Sequence, residues 1–163
     1  MFGYVLAGVP NIELMTVTIF LSGYLLGIRF GILIGTSSAA VHALFNPLGG
    51  SLPPLLLAQC VSFSLIGASG AMFGPLIEGL RNRLAAILFA GLIGFVVTLL
   101  YDVLTNIAAF YIAMGMGPSE GFVGFVIGGI LFMGMHIVWN TGLFLFVVKP
   151  VLTVLSRYRH EIS

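Results

Sequence analysis

Charged side chains are scarce in this chain of 163 residues, of which only 7% are Asp, Glu, Lys or Arg. Soluble domains carry about 25% charged residues, so this sequence cannot cover a water-facing surface. Hydrophobic residues make up 60% of the chain, and the mean hydropathy is +1.18. The apolar runs are long enough for membrane-spanning helices, and the sequence therefore predicts an all-α integral membrane protein.

Several chemical motifs are also absent from the sequence. Cys60 is the single cysteine, which excludes an internal disulfide and a cysteine-based metal cluster. Lys149 is the single lysine and stands in no GxxxxGK(S/T) phosphate-binding loop, so the chain should not hydrolyse ATP. There is no HExxH motif and no polybasic face for nucleic acid. We therefore expect a protein that is not an enzyme and that uses no metal ion or cofactor.

Turn residues and charges divide the chain into five apolar segments, which form a single domain over residues 1–163. A helix needs roughly 20 apolar residues to cross the hydrocarbon core of a bilayer. Stretches rich in Pro and Gly, such as NPLGGSLPP and GMGPSEG, mark loops between the segments. We expect a compact bundle of five transmembrane helices, at about residues 12–28, 30–45, 55–80, 84–114 and 122–148.

All the Lys and Arg residues lie on one side of this predicted arrangement. They follow the first, third and fifth spans, at Arg29, Arg81, Arg83, Lys149, Arg157 and Arg159. The positive-inside rule makes that side cytoplasmic, which places the C-terminus inside and the N-terminus outside. The apolar start, MFGYVLAGV, is too short to span and lacks the features of a signal peptide. It is interpreted either as the outer end of a further helix that is missing here or as a short segment preceding a five-helix bundle.

Polar side chains within the spans are the candidate site residues, because such groups are costly in hydrocarbon and usually face a cavity or a partner. Asp102 and Asn106 are four residues apart and share a helix face, as do His136 and Asn140. Most of the polar set falls in the outer half of the bundle, where a cavity open to the outside could collect it. The alternative is that these side chains bridge or cap helices. The predicted binding residues are Gln59, Asp102, Asn106, His136, Asn140, His42 and Asn46.

The outer half of the predicted bundle contains no Lys or Arg that could pair with Asp102. Phosphates and carboxylates are usually held by such cations, so a ligand recognised through one of these groups is disfavoured. The absence of Lys and Arg near the predicted site therefore favours a neutral or cationic ligand.

Glycine recurs every four positions along the first two spans, at Gly23, Gly27, Gly31 and Gly35. Small residues let helices approach closely in lipid, where no hydrophobic effect drives helices together. Arg29 interrupts the series at the turn between the spans. Two interpretations remain open, which are internal packing of a compact hairpin and a docking face for a partner membrane protein.

Four stretches carry a resemblance to a known family: PNIELMTVTIFLSGYLLGIRFGILIGTSSAAVHALFNPLGG, PPLLLAQ, YDVLTN and HIVWNTGLF. They cover nearly the whole chain in the expected order. With its short spans and inside-facing arginines, the chain resembles the substrate-binding S component of energy-coupling factor (ECF) vitamin transporters. Members of that family usually have six helices, so the resemblance implies that the first helix and its AxxxA motif are absent from this sequence.

The resemblance implies that the chain captures a vitamin or related micronutrient from outside a prokaryotic cell, at the (inner) cell membrane. It places the pocket among the polar residues named above, with His42 and Asn46 near its mouth. It also implies that the glycine series faces a transmembrane coupling subunit, which works with two ATPase subunits. A cobalamin-like corrinoid and a thiamine-related pyrimidine both satisfy the lack of cations, and the corrinoid is the first choice.

Two other functions are compatible with the same residues. A membrane enzyme could use Asp102 and His136 as acid and base on a lipid or prenyl substrate. A structural or assembly protein could use the polar residues only to bridge helices.

Overall fold

A computed structural model describes residues 14–45, 50–114 and 121–162 of the chain. Within these residues every regular element is a helix, which confirms the all-α prediction. Residues 1–13 are not among the residues that the structure describes. They include the apolar start and the beginning of the first predicted span. The elements are α1 (Met15–Leu26), α2 (Ile28–Leu44), α3 (Pro53–Gly79), α4 (Arg83–Met114), α5 (Phe122–Leu143), a π-helical turn (Phe144–Val148) and α6 (Lys149–Ile162).

Three helices are long and apolar enough to cross a membrane, namely α3, α4 and the continuous helix over Gly124–Tyr158. Large apolar side chains such as Leu131 and Phe146 are exposed along the last of these, as suits contact with lipid. The chain is accordingly a membrane-embedded helical protein. The sequence predicts five full spans, but α1 and α2 have 12 and 17 residues, or about 18 and 26 Å of helix. These lengths fall short of a hydrocarbon core of roughly 30 Å.

α1 and α2 form a hairpin that packs against one part of α3. Gly27 joins them with φ of +86°, a left-handed conformation that favours glycine. Gly23, Gly31 and Gly35 are buried in the packing. A Cβ atom added at Gly23 or Gly31 would overlap the carbonyl oxygen of Gly67, so the three backbones are in direct contact there. The three buried glycines therefore pack against α3 inside the protein and do not lie on a surface open to a partner.

The last long helix does not end at residue 148, where the fifth predicted span stops. It continues through the π-helical turn into α6 and reaches Ile162. Pro150 comes just after the turn, and proline has no N–H to donate and a ring that clashes with the carbonyl four residues earlier. A π-helical turn changes the hydrogen-bond spacing from four residues to five and thereby accommodates the proline within a continuous helix.

The core brings α1 and α4 into contact with the segment that follows α5. Phe20 of α1 packs edge to face against Phe144 of the π-helical turn, with ring centroids 5.1 Å apart. A Cβ atom at Gly94 of α4 would overlap the Phe144 ring, so this glycine makes room for it. Because Gly94 meets Phe144 and Asp102 meets His136, α4 and α5 run antiparallel. This arrangement sets the polar face of α4 opposite the polar face of α5.

Candidate functional site

Asp102 and His136 connect α4 to α5 through a buried hydrogen bond. The Oδ1 atom of Asp102 lies 2.7 Å from Nδ1 of His136, and each side chain is only 8% exposed. With a neutral imidazole, the Nδ1–H group donates to the carboxylate, whereas with an imidazolium the contact is an ion pair. In either case Nδ1 is committed to Asp102, and Nε2 is the ring nitrogen left for another partner. The structure therefore brings together two residues that the sequence predicts as site residues.

Aromatic side chains hold the imidazole in place. The ring of Tyr101 packs edge to face against His136, with centroids 5.5 Å apart. Phe63 of α3 packs against Tyr101 at 5.1 Å, which links a third helix to the site. Such contacts restrict the orientation of the imidazole ring. Sequence reasoning misses Tyr101 and Phe63, because their role depends on how α3 packs against α4.

Asn106 lies one helical turn beyond Asp102 on the same face of α4. Its Nδ2 atom donates to the backbone carbonyl oxygen of Asp102 at 2.7 Å. The amide oxygen then lies toward α5, where a Cβ atom added at Gly129 would stand 3.6 Å from it. Gly129 therefore leaves space in front of the Asn106 amide.

These side chains line an open pocket of about 250 Å³ between α4 and α5. Oδ2 of Asp102 is buried and has no hydrogen-bond partner among the described residues. An unpaired buried acceptor is costly, so a donor from a ligand or from water would stabilise it. The pocket is lined by Tyr101, Asp102, Asn106, Gly129, Phe132, Met133 and His136. None of these lining residues is Lys or Arg, so the pocket offers acceptor atoms without a permanently charged side chain to bind an anion.

A second polar layer lies one helical turn from the Asp102–His136 contact. Asn140 follows His136 by one turn and Thr98 precedes Asp102 by one turn, so the antiparallel arrangement places Asn140 opposite Thr98. Asn140 is 0% exposed. Both polar atoms of its amide, and the Thr98 hydroxyl, are buried with no hydrogen-bond partner in the described part of the chain. The sequence predicts Asn140 as a site residue but does not predict Thr98. The four-residue spacing between Thr98 and Asp102 is the signal that could have identified Thr98.

The remaining predicted site residues lie apart from this pocket. Gln59 is buried near the start of α3, where its Oε1 atom accepts a hydrogen bond from Oγ of Ser51 at 3.0 Å. His42 is half-buried near the end of α2. Neither residue lines the pocket, so the structure divides the predicted set between the α4–α5 pocket and the ends of α2 and α3. Asn46 lies outside the described residues.

Comparisons with known proteins assign no family to this arrangement. No family model, no curated protein and no solved structure matches the chain. Within residues 14–45, 50–114 and 121–162, no group of three or more His, Cys, Asp or Glu side chains could hold a metal ion. The function of the pocket therefore has to be argued from its geometry and from the sequence.

Proposed function

We propose that the protein is a membrane subunit that binds a small solute in the pocket between α4 and α5. More specifically, we propose the substrate-capture subunit of an ECF-type importer, which binds a vitamin or related micronutrient from outside the cell. The observation that carries the proposal is the buried Asp102 carboxylate, whose Oδ2 atom lacks a partner in the described structure beside an open pocket. An acidic side chain buried in a membrane protein usually marks a ligand or ion site.

The chemistry of the pocket favours a ligand that donates hydrogen bonds. Asp102 offers a carboxylate oxygen, and Asn106 offers an amide oxygen after its Nδ2 atom has bonded to the backbone. A protonated amine or an amino-substituted heterocycle would match these acceptors. A phosphate or carboxylate would instead meet the Asp102 charge with no lining Lys or Arg to offset the repulsion.

The pocket volume favours the smaller of the two vitamin classes that the sequence suggests. Sites for drug-sized ligands usually enclose about 300–1,000 Å³. A volume of about 250 Å³ suits a single heterocycle and would not enclose a corrinoid macrocycle. We therefore propose a thiamine-related pyrimidine, or a heterocyclic cation of similar size, in place of the corrinoid. The aromatic rings of Tyr101 and Phe132 on the pocket wall would suit stacking with such a ligand.

The proposed setting is a prokaryotic (inner) cell membrane, with five helical segments embedded in it and the C-terminus in the cytoplasm. The grouping of the Lys and Arg residues after the first, third and fifth predicted spans supports this orientation. The chain itself would not be an enzyme. A coupling subunit and two ATPase subunits would supply the energy for uptake, since this sequence contains no phosphate-binding loop.

Mass spectrometry of the protein purified from its host tests the proposal. We expect a small solute to co-purify with the wild-type chain and to be lost from Asp102→Asn. Removing one charge-assisted hydrogen bond should weaken binding about 10- to 100-fold. Glu78→Gln is the matched control, because it neutralises a carboxylate that contacts Tyr24 and does not line the pocket. Equal retention by Asp102→Asn and the wild type would contradict the proposal and favour a role for Asp102 in bridging helices.

A membrane enzyme is the second candidate, and the contact between Asp102 and His136 is the observation that favours it. A carboxylate that binds one imidazole nitrogen orients the other nitrogen as a general base. The pocket would then receive the polar end of a lipid or prenyl substrate. Turnover of such a substrate that His136→Gln abolishes, without retention of an unaltered solute by the wild type, would establish this alternative.

A further inference from the structure

A second cavity lies where α3 ends, α4 begins and α6 begins. It has a volume of about 480 Å³ and is separated from Asp102 by about 28 Å along α4. Its lining residues are Leu80, Arg81, Arg83, Lys149, Pro150 and Thr153. We propose that this basic groove binds a phosphate group, which the headgroup of an anionic phospholipid supplies. The proposal does not depend on the ligand or the function of the α4–α5 pocket.

The cations of the basic groove have no acidic partner within the described structure. Arg81 and Arg83 are exposed, and neither takes part in an ion pair in the described part of the chain. Glu78 is close in sequence, but its Oε2 atom accepts a hydrogen bond from the Tyr24 hydroxyl at 2.7 Å. No acidic side chain lines the groove. Neighbouring cations repel each other, so an anion bound between them would be stabilised.

Lys149 is anchored at the wall of the basic groove. Its Nζ atom donates to the backbone carbonyl oxygens of Ile77 at 3.0 Å and Glu78 at 2.7 Å. An ammonium group has three donors, so one N–H remains for a further acceptor. The half-buried stem and the two hydrogen bonds fix the position of this charge before any ligand arrives.

The two arginines flank a turn that a side-chain cap stabilises. Asn82 lies between them and accepts hydrogen bonds at Oδ1 from the backbone N–H groups of Leu84 at 2.9 Å and Ala85 at 3.2 Å. These bonds cap the start of α4. Both arginines therefore extend from a capped turn that lines the groove, and a guanidinium can bind two phosphate oxygens at once.

The position of the basic groove favours a phospholipid as the source of the phosphate. It lies at the ends of two membrane-spanning helices, with the exposed Leu80 in its wall and the exposed Leu84 beside Arg83. Acyl chains could follow these leucines into the membrane while the phosphate contacts the arginines. Basic pockets between membrane helices are known to bind anionic headgroups. Soluble phosphate would share the polar contacts but not the apolar ones.

Native mass spectrometry of the full chain tests the proposal, after reconstitution in mixed phosphatidylcholine and phosphatidylglycerol. We expect retained adducts of phosphatidylglycerol, reduced about fivefold for each arginine removed in Arg81→Gln and Arg83→Gln. The matched control is Arg29→Gln with Arg157→Gln, which removes two exposed arginines outside the groove. We expect this control to retain the lipid as the wild type does.

A parallel measurement uses inorganic phosphate alone, followed by phosphorus NMR with lipid-free protein in detergent. Lipid retention without phosphate binding would support the phospholipid as the source. Phosphate binding that requires Arg81 and Arg83 would also support it if the lipid is retained. The same phosphate binding without retained lipid would overturn the phospholipid as the source and identify a soluble anion as the ligand. The proposal is overturned if phosphatidylglycerol is retained no better than phosphatidylcholine and inorganic phosphate does not bind. Equal loss of lipid from the variant that combines Arg81→Gln with Arg83→Gln and from the control would also overturn it. The net positive charge of the protein, and not the groove, would then explain the retention.

Discussion

The α1–α2 hairpin meets α3 through backbone atoms, whereas α4 meets α5 through polar side chains. At the first interface, a Cβ atom added at Gly67 would overlap the backbone of Gly31, and one added at Gly70 would overlap that of Phe20. At the second interface, Asp102 and His136 form a buried hydrogen bond beside an open pocket. The two interfaces therefore use different means to hold helices together in the same apolar surroundings.

The two interfaces also differ in how many buried polar atoms they leave unpaired. Backbone contact at glycine gives close packing without burying an unpaired polar group. The α4–α5 interface instead buries Oδ2 of Asp102 and the Asn140 amide without partners in the described structure, and each such group costs about 1–3 kcal/mol. Such groups are uncommon in native interfaces, and each one calls for a physical explanation. A ligand bound as proposed above would offset the cost at Asp102, which lines the pocket, whereas Asn140 does not line it.

His136→Leu should produce the largest loss of stability. It leaves the Asp102 carboxylate buried without its partner, and breaking a buried pair from one side costs about 3 kcal/mol. Replacing both residues by Leu should restore stability to within about 1 kcal/mol of the wild type, because no unpaired charge remains. Unfolding in mixed detergent micelles, followed by the fluorescence of Trp139, measures the free energy. A double variant as unstable as the single one would contradict this account.

Gly67→Ala should have the next largest effect, on the other interface. The added Cβ atom would collide with the backbone of Gly31, and overpacking of this kind costs about 2 kcal/mol. Gly134→Ala is the control, since no described atom beyond the adjacent residues and the backbone of α5 itself lies within 4 Å of a Cβ atom at that position. The control should be neutral or gain up to about 1 kcal/mol from the higher helix propensity of alanine. The same unfolding measurement compares the two, and equal effects would show that the glycine contact is not essential.

Asn140→Leu should increase stability by about 1 kcal/mol, because it removes an amide with two unpaired polar atoms. Thr98→Val should change stability in the same direction by a smaller amount, since it removes one unpaired hydroxyl. Thermal unfolding without ligand gives the sign for both variants. Destabilisation by Asn140→Leu would instead indicate that bound water or a ligand satisfies the amide in the wild type.

Thr36→Val should have the smallest effect. The Thr36 hydroxyl of α2 lies 2.7 Å from Oγ of Ser64 of α3, at an exposed position. Hydrogen bonds between membrane helices contribute about 0.6 kcal/mol, and we expect a loss of that size. Ser37→Ala is the control, because its hydroxyl bonds only within α2. A loss above about 2 kcal/mol would mean that this interface depends on hydrogen bonding as much as on backbone contact.

Sequence reasoning predicts part of the site and misses the rest for identifiable reasons. The spacing of Asp102 with Asn106, and of His136 with Asn140, follows from the period of a single helix and needs no tertiary information. Gln59 and His42 share the same polarity and predicted depth, but helix packing leaves them away from the pocket. Tyr101 lines the pocket and is missed, because an aromatic residue in an apolar run carries no signal of its own.

The sequence by itself determined the helical class, the apolar character and the grouping of the cations. These properties depend on composition and on local periodicity, which can be read along one chain. The tertiary structure alone decided that Asp102 pairs with His136, that the buried glycines face α3, and that the last helix continues past Pro150. Such contacts depend on the rotation and offset of one helix against another. Packing across the whole bundle sets both, and no local pattern encodes them.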